Sequence, residues 1–117
     1  MGILSNLLKG KNDSFNIDSS SFEKLINEEK NAVILDVRSQ EENSALRIPN
    51  SLLIDIHKPD FLNQIEKLDK SRTFLVYCRS GRRSFDACTE MRQLGFGKVY
   101  NLKTGIIGWK GIVEKNQ

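Results

Sequence analysis

The sequence predicts an α/β layered domain, with helices on both faces of a central, mostly parallel sheet. Three observations carry that expectation. Residues 32–35 form a continuous apolar run, Ala-Val-Ile-Leu, as expected of a strand buried on both faces. Residues 74–77 and 98–102 are further short strand-like runs, and the segments between them place apolar residues at helical spacing. Strand and helix patterns alternate along the chain, and its 117 residues suit one domain with a single core.

Taken in order, residues 1–14 read as an amphipathic tail and linker, and the folded domain as 15–117. Ile3, Leu4, Leu7 and Leu8 share one side of a two-turn helix, and the polar stretch 10–14 follows. Ser20 followed by Glu23 has the spacing of a capping box, and Phe22, Leu25 and Ile26 give a helix face over about 21–29. The strand at 32–35 runs into Asp36-Val37-Arg38. Residues 40–44 have room for one or two helical turns before Ile48-Pro49, where proline bars continuation. A third strand is expected at 51–54, then a helix over 59–68 with Phe61, Leu62, Ile65 and Leu68 on one face and Pro59 tolerated at its start. The strand at 74–77 leads to a helix at 82–94 that Gly95 stops. After the strand at 98–102, residues 105–113, with Ile106, Ile107, Trp109 and Ile112, read as a closing amphipathic helix.

Composition narrows the function. Hydrophobic residues make up 38% and charged residues 28%, a balance typical of globular chains. A net charge of +3 is too small to argue for nucleic acid, and no apolar run approaches the ~18 residues of a membrane span. Two cysteines, Cys78 and Cys88, and a start without a secretory pattern point to a reducing, cytoplasmic setting. The two lie too far apart for a disulfide if 82–94 is helical. A single histidine, His57, starves His-based metal sites and Cys-His nucleophile arrangements of parts, so neither metal nor cofactor is expected.

The stretch 73–84, Thr-Phe-Leu-Val-Tyr-Cys-Arg-Ser-Gly-Arg-Arg-Ser, is the densest in chemistry. A strand delivers a thiol into a loop holding Arg79, Arg82 and Arg83, and a helix begins directly after it. Loop and helix N–H groups can then point at an anion. Cys88, mid-helix on the apolar side, reads as core packing, and Trp109 as a core or sheet-edge anchor.

The order of motifs resembles a single-domain rhodanese, a thiosulfate sulfurtransferase-like protein. The resemblance rests on Asp36-Val37-Arg38, Glu42, Ile48-Pro49, the run from Tyr77 to Ser84, Gly95-Phe96, and Gly105 followed by Trp109, and it covers about 20–113. It implies a three-layer fold with a five-stranded, mostly parallel sheet. Two positions depart from the family's usual pattern. Leu46-Arg47-Ile48-Pro49-Asn50-Ser51 stands where Gly-His-Ile-Pro-Gly-Ala is common, and Thr104-Gly105 stands where two glycines are common.

The resemblance implies sulfur transfer from a small anionic donor, thiosulfate or a persulfide, through a persulfide on Cys78. The acceptor would be cyanide or a thiol, including a thioredoxin-like or other protein thiol. Arg79, Ser80, Gly81, Arg82, Arg83 and Ser84 form the expected donor-binding loop. Gly81 supplies tight curvature, Arg83 caps the loop internally, Arg79 and Arg82 face the anion, and Ser84 serves the helix end or the sulfur. Asp36 and Arg38 are expected to brace the loop. The arginines and the helix start should hold the Cys78 thiol below its ordinary pKa. Two rivals stand beside this reading. One is a phosphatase-like or arsenate-reductase-like enzyme, disfavoured because such sites place Arg six positions after Cys, where this chain has Ser84. The other is a non-catalytic binding module.

Overall fold

In the computed structural model, which describes residues 14–116, five strands form one sheet in the order β1-β5-β4-β2-β3, every pair parallel. The strands are β1 (Asn16–Ile17), β2 (Val33–Asp36), β3 (Leu52–Leu53), β4 (Thr73–Tyr77) and β5 (Lys98–Leu102). The helices are α1 (Ser19–Glu28), α2 (Gln40–Ala45), α3 (Phe61–Glu66) and α4 (Arg82–Gln93), followed by one 3₁₀ turn at Ile106–Gly108. The amphipathic pattern of Ile3 to Leu8 lies outside the described residues.

β4 is central, and all five of its residues are buried. Period-two alternation sends its side chains to opposite faces. Phe74 and Val76 join Leu35 and Val99 against Phe61 and Ile65 of α3 and Ala87, Cys88 and Met91 of α4. Leu75 and Tyr77 join Ile34 and Leu102 against Phe22 of α1, with Ile48 and Ile106. The result is three layers, and full burial of each large apolar side chain contributes about 1.5–3 kcal/mol. Because every strand runs the same way, Asp36, Tyr77 and Leu102 all end at one edge of the sheet, where ligands of open parallel sheets bind.

Several elements differ from the sequence expectation, each for a physical reason. β1 carries no local signal in two residues and is held by long-range pairing: Asn101 N–H donates to Phe15 O and Lys103 N–H to Ile17 O, both at 2.8 Å. α1 begins earlier than expected because Asp18, not Ser20, caps it, its carboxylate accepting from Ser21 N–H at 2.9 Å. The reciprocal capping box falls instead on α2, where Ser39 Oγ accepts from Glu42 N–H at 3.2 Å and Glu42 Oε1 from Ser39 N–H at 3.1 Å. α3 occupies only the middle of 59–68.

The closing helix expected at 105–113 is a correction. Only Ile106–Gly108 is helical, and the chain then continues without helix, bending at Gly111, to an antiparallel bridge between Arg47 and Glu114. Gly105, Gly108 and Gly111 weaken any helix there, and Gly105 sits at φ 68°, outside the helical region. Trp109 anchors the strap by meeting Phe22 edge-on at 5.7 Å between centroids, and its Nε1 donates to Ile112 O at 3.0 Å.

Candidate active site

β4 ends at Tyr77 and delivers Cys78 to the carboxyl edge of the sheet, directly before the start of α4. Between them, Gly81 turns the chain at φ 94° and ψ −5°. A side chain there is barred twice, by the positive φ and because a Cβ would collide with the Lys103 carbonyl. This turn aims donors at the sulfur. Cys78 Sγ accepts from Gly81 N–H at 3.2 Å, Ser84 N–H at 3.4 Å and Ser84 Oγ at 3.2 Å. The loop is held from behind as well: Ile106 N–H donates to Cys78 O at 2.9 Å and Ile107 N–H to Arg79 O at 3.2 Å. Gly105 packs its bare Cα on the Arg79–Ser80 peptide, where a Cβ would meet Arg79 O.

The sulfur is 1% exposed with its residue, and burial alone pushes the thiol up. Hydrogen bonds from Ser84 Oγ, Ser84 N–H, Gly81 N–H and Ser80 N–H outweigh burial, so Cys78 titrates below its ordinary value. The largest favourable causes are therefore hydrogen-bond donors at the start of α4 and in the Gly81 turn. Cys88 shows the contrast: burial without such donors drives its thiol far up, and it packs in the core on the sheet-facing side of α4. Both cysteines are free.

The loop arginines divide into two kinds. Arg83 turns away to α2, its Nη1 and Nη2 bonding Glu42 Oε1 and Oε2 at 2.9 and 2.8 Å. That bidentate pair, with burial opposing it, holds the Glu42 carboxyl down at about 2. Arg79 and Arg82 are exposed, and no hydrogen bond or ion pair among the described residues engages their side chains. Ser80 is exposed beside them.

Asp36 and Arg38 lie one strand away and are joined to each other, not to the sulfur. Arg38 Nε and Nη2 donate to Asp36 Oδ1 and Oδ2 at 2.9 and 2.8 Å, and Nη2 also to Leu46 O at 2.6 Å. Asn43 Nδ2 at 2.9 Å and Tyr77 Oη at 3.0 Å complete the shell around Asp36 Oδ2. Tyr77 Oη in turn accepts from Ile48 N–H at 3.1 Å, and burial with Asp36 nearby pushes the phenol up to about 12. The pair thus braces the 46–51 segment and reaches the nucleophile loop through Tyr77, the residue before Cys78.

Three residues of this architecture carried no assigned role in the sequence reading. Glu42 was legible in principle, since Ser39-x-x-Glu42 is a capping-box spacing. Tyr77 read as the last strand residue and the first of the motif run to Ser84, with no role for its hydroxyl, and Asn101, buried on β5 with Nδ2 donating to Gly81 O at 3.1 Å, gave no local sign. Among the described residues, no group of three His, Cys, Asp or Glu side chains is placed to hold a metal ion. No helix among them is long and apolar enough to cross a membrane.

Comparison with known proteins agrees with this geometry. Residues 18–112 match the rhodanese-like domain family. A sulfurtransferase of Allochromatium vinosum is 34% identical over 93 residues, covering 80% of this chain and 85% of the relative. A thiosulfate sulfurtransferase of Coxiella burnetii is 35% identical over 81 residues, covering 69% and 74%. The crystal structure of a rhodanese-like domain protein from Staphylococcus aureus superposes with a TM-score of 0.74 at 23% identity, over 87% of this chain and 98% of that one, a likeness of fold. A parallel sheet delivering a cysteine into a ring of N–H donors, matched along nearly the whole chain by this family, makes the protein a member of the rhodanese-like domain family.

Proposed function

We propose that the protein is a sulfurtransferase that carries sulfane sulfur on Cys78. One observation supports this above the rest: Sγ lies at the base of a loop whose N–H groups and Ser84 hydroxyl converge on it at 3.2–3.4 Å. Such donors stabilise a thiolate without a histidine base, and the chain's single histidine, His57, sits elsewhere with its side chain 72% exposed.

In the first half-reaction, the Cys78 thiolate attacks the outer sulfur of thiosulfate. The S–S bond breaks and sulfite leaves with the bonding pair. A persulfide donor reacts in the same way, releasing its own thiolate. In the second, an acceptor thiolate or cyanide attacks the outer sulfur of the Cys78 persulfide, and Sγ departs as thiolate, restoring the enzyme. The loop stabilises an anion at both ends of the cycle, thiolate and persulfide alike. Arg79 and Arg82, with no partners among the described residues, supply positive charge at the mouth for an anionic donor.

The test is intact mass after incubation with thiosulfate. A gain of one sulfur, mapped to Cys78 and reversed by a thiol, is the expected result. Cys78→Ser should abolish both that adduct and thiocyanate formation from thiosulfate and cyanide, while Cys88→Ser retains them. Equal turnover in the two variants would sink the assignment, and turnover of an aryl phosphate without any sulfur adduct would favour an oxyanion enzyme instead.

A further inference from the structure

Asn101 is 1% exposed, at the carboxyl end of β5. Its backbone belongs to the sheet, paired with Val76 of β4 on one side and Asn16 of β1 on the other. Its side-chain amide reaches out of the sheet plane of bonding: Nδ2 donates to Gly81 O at 3.1 Å and to Asn16 Oδ1 at 2.9 Å. Its Oδ1 is buried without a partner among the described residues. An orphaned amide oxygen destabilises a fold, and leucine would fill the same space without it. Stability alone therefore does not account for asparagine here.

The two bonds do account for it. Gly81 has the widest conformational freedom of any residue type, and it is also the residue whose N–H reaches the sulfur. Its carbonyl opens α4 by accepting from Phe85 N–H at 3.2 Å. Whatever fixes that carbonyl fixes the rotation of the first helical turn, and with it the placement of Ser84 N–H and Oγ beneath Cys78.

We propose that Asn101 is a positioning residue for Cys78, holding the Gly81 carbonyl so that the loop and the first turn of α4 keep their donors on the sulfur. Asn16 completes the device by accepting the second amide hydrogen, which ties edge strand β1 to the nucleophile loop. The proposal rests on the reading of Cys78 as the reacting thiolate. The charged and ionisable groups around Cys78 are Arg79 of the loop and Arg82 of α4 at the mouth, Arg83 of α4, already paired with Glu42, and Cys88 in the core. Asn101 is uncharged, so replacing it alters donor geometry and leaves those charges as they were.

The experiment is the pH profile of iodoacetamide alkylation, read at Cys78 by peptide mass mapping so that Cys88 is scored separately, with thermal unfolding alongside. Asn101→Leu leaves the Gly81 carbonyl its helical bond and creates no new orphan there. The alkylation midpoint should rise by about half a pH unit or more, a loss on the order of threefold in thiolate on the acid side, with the unfolding temperature unchanged or higher. Asn16→Ala, which frees the amide to swing, should shift the midpoint in the same direction by less. A folded Asn101→Leu protein with the wild-type midpoint overturns the proposal, as does an unchanged Asn16→Ala profile should Asn101→Leu fail to fold. A wild-type midpoint no lower than that of the urea-unfolded chain overturns the thiolate reading itself, and this one with it.

Discussion

At the scale of single residues, Ser84 contributes two of the bonds to Cys78 Sγ, but only the hydroxyl can be removed by mutation. A hydrogen bond to a charged group contributes about 1.5–3 kcal/mol, so Ser84→Ala should raise the Cys78 midpoint by roughly one to two pH units. The depressed thiol matters most on the acid side, where an ordinary cysteine is protonated. The variant should therefore lose most activity toward acid pH and recover toward wild type as the pH rises past the ordinary thiol range, as a pH series of sulfur transfer would read. Asn50 makes a conformational point of the same size. It is exposed at φ 66°, in the left-handed region that asparagine tolerates and β-branched residues do not. Asn50→Val should cost roughly 1–2 kcal/mol by urea unfolding, and Asn50→Gly close to nothing. Both sites show what a sequence makes legible. The cysteine, the glycine and the serine announce a thiol under a turn, whereas the directions of their bonds depend on Lys103, Asn101 and Ile106, residues some twenty positions further on. The departure at Asn50 from the family's usual glycine was visible beforehand, and its backbone explains why asparagine is the residue that replaces it.

At the scale of elements, α2 has no buried residue and would not persist on packing alone. It is held by its capping box and by Glu42, whose side chain serves that cap and the bidentate bond to Arg83 of α4 together. The folded Glu42 carboxyl titrates at about 2, below its ordinary 4.5. A depressed carboxylate stabilises the fold above its unfolded pKa and loses that contribution as pH falls through the folded value. With both side chains roughly 30% exposed, solvent screening trims the effect to about 1–2 kcal/mol. Glu42→Gln should then unfold more readily than wild type at pH 7, with the difference shrinking below pH 4.5 and gone near pH 2. The same element-level view explains the misread closing helix. Ile106, Ile107, Trp109 and Ile112 do have helical spacing, but Gly105 ahead of them serves contact with the Arg79–Ser80 peptide, while Gly108 and Gly111 lie close against the Thr104 side chain and the Trp109 ring, purposes no periodicity reveals. The long, strongly patterned pieces, β4, α4 and β5, were legible because their signals are local. β1 was not, because two residues paired across the chain hold no pattern.

At the scale of the whole molecule, the parallel sheet brings three strand ends to one edge and leaves them to be joined there, and β4 is joined to the ion pair at the end of β2 by the Tyr77 hydroxyl, which donates to Asp36 Oδ2. Asp36 and Arg38 are 0% and 3% exposed, and their shell includes Asn43, the Leu46 carbonyl and Tyr77, so α2, the 46–51 segment and both strands meet at one carboxylate. Taking charges out of water is unfavourable, and the pair is tolerable because its bonds are complete. Removing one partner should therefore be worse than removing both. Arg38→Met leaves Asp36 buried with no opposite charge, only the uncharged donors of Tyr77, Asn43 and the residue 38 backbone N–H, a loss of about 3–5 kcal/mol, a large share of the roughly 5–15 kcal/mol available to a domain. The double variant Asp36→Asn with Arg38→Met removes the charge as well and should unfold at higher urea than Arg38→Met alone. A double variant less stable than the single would show that the pair contributes net stability beyond avoiding a stranded charge. Because Asp36 and Arg38 bond neither Cys78 Sγ nor the residues Gly81 and Ser84 that donate to it, either variant that remains folded should keep the wild-type alkylation midpoint at Cys78, which separates the brace of the scaffold from the chemistry of the loop.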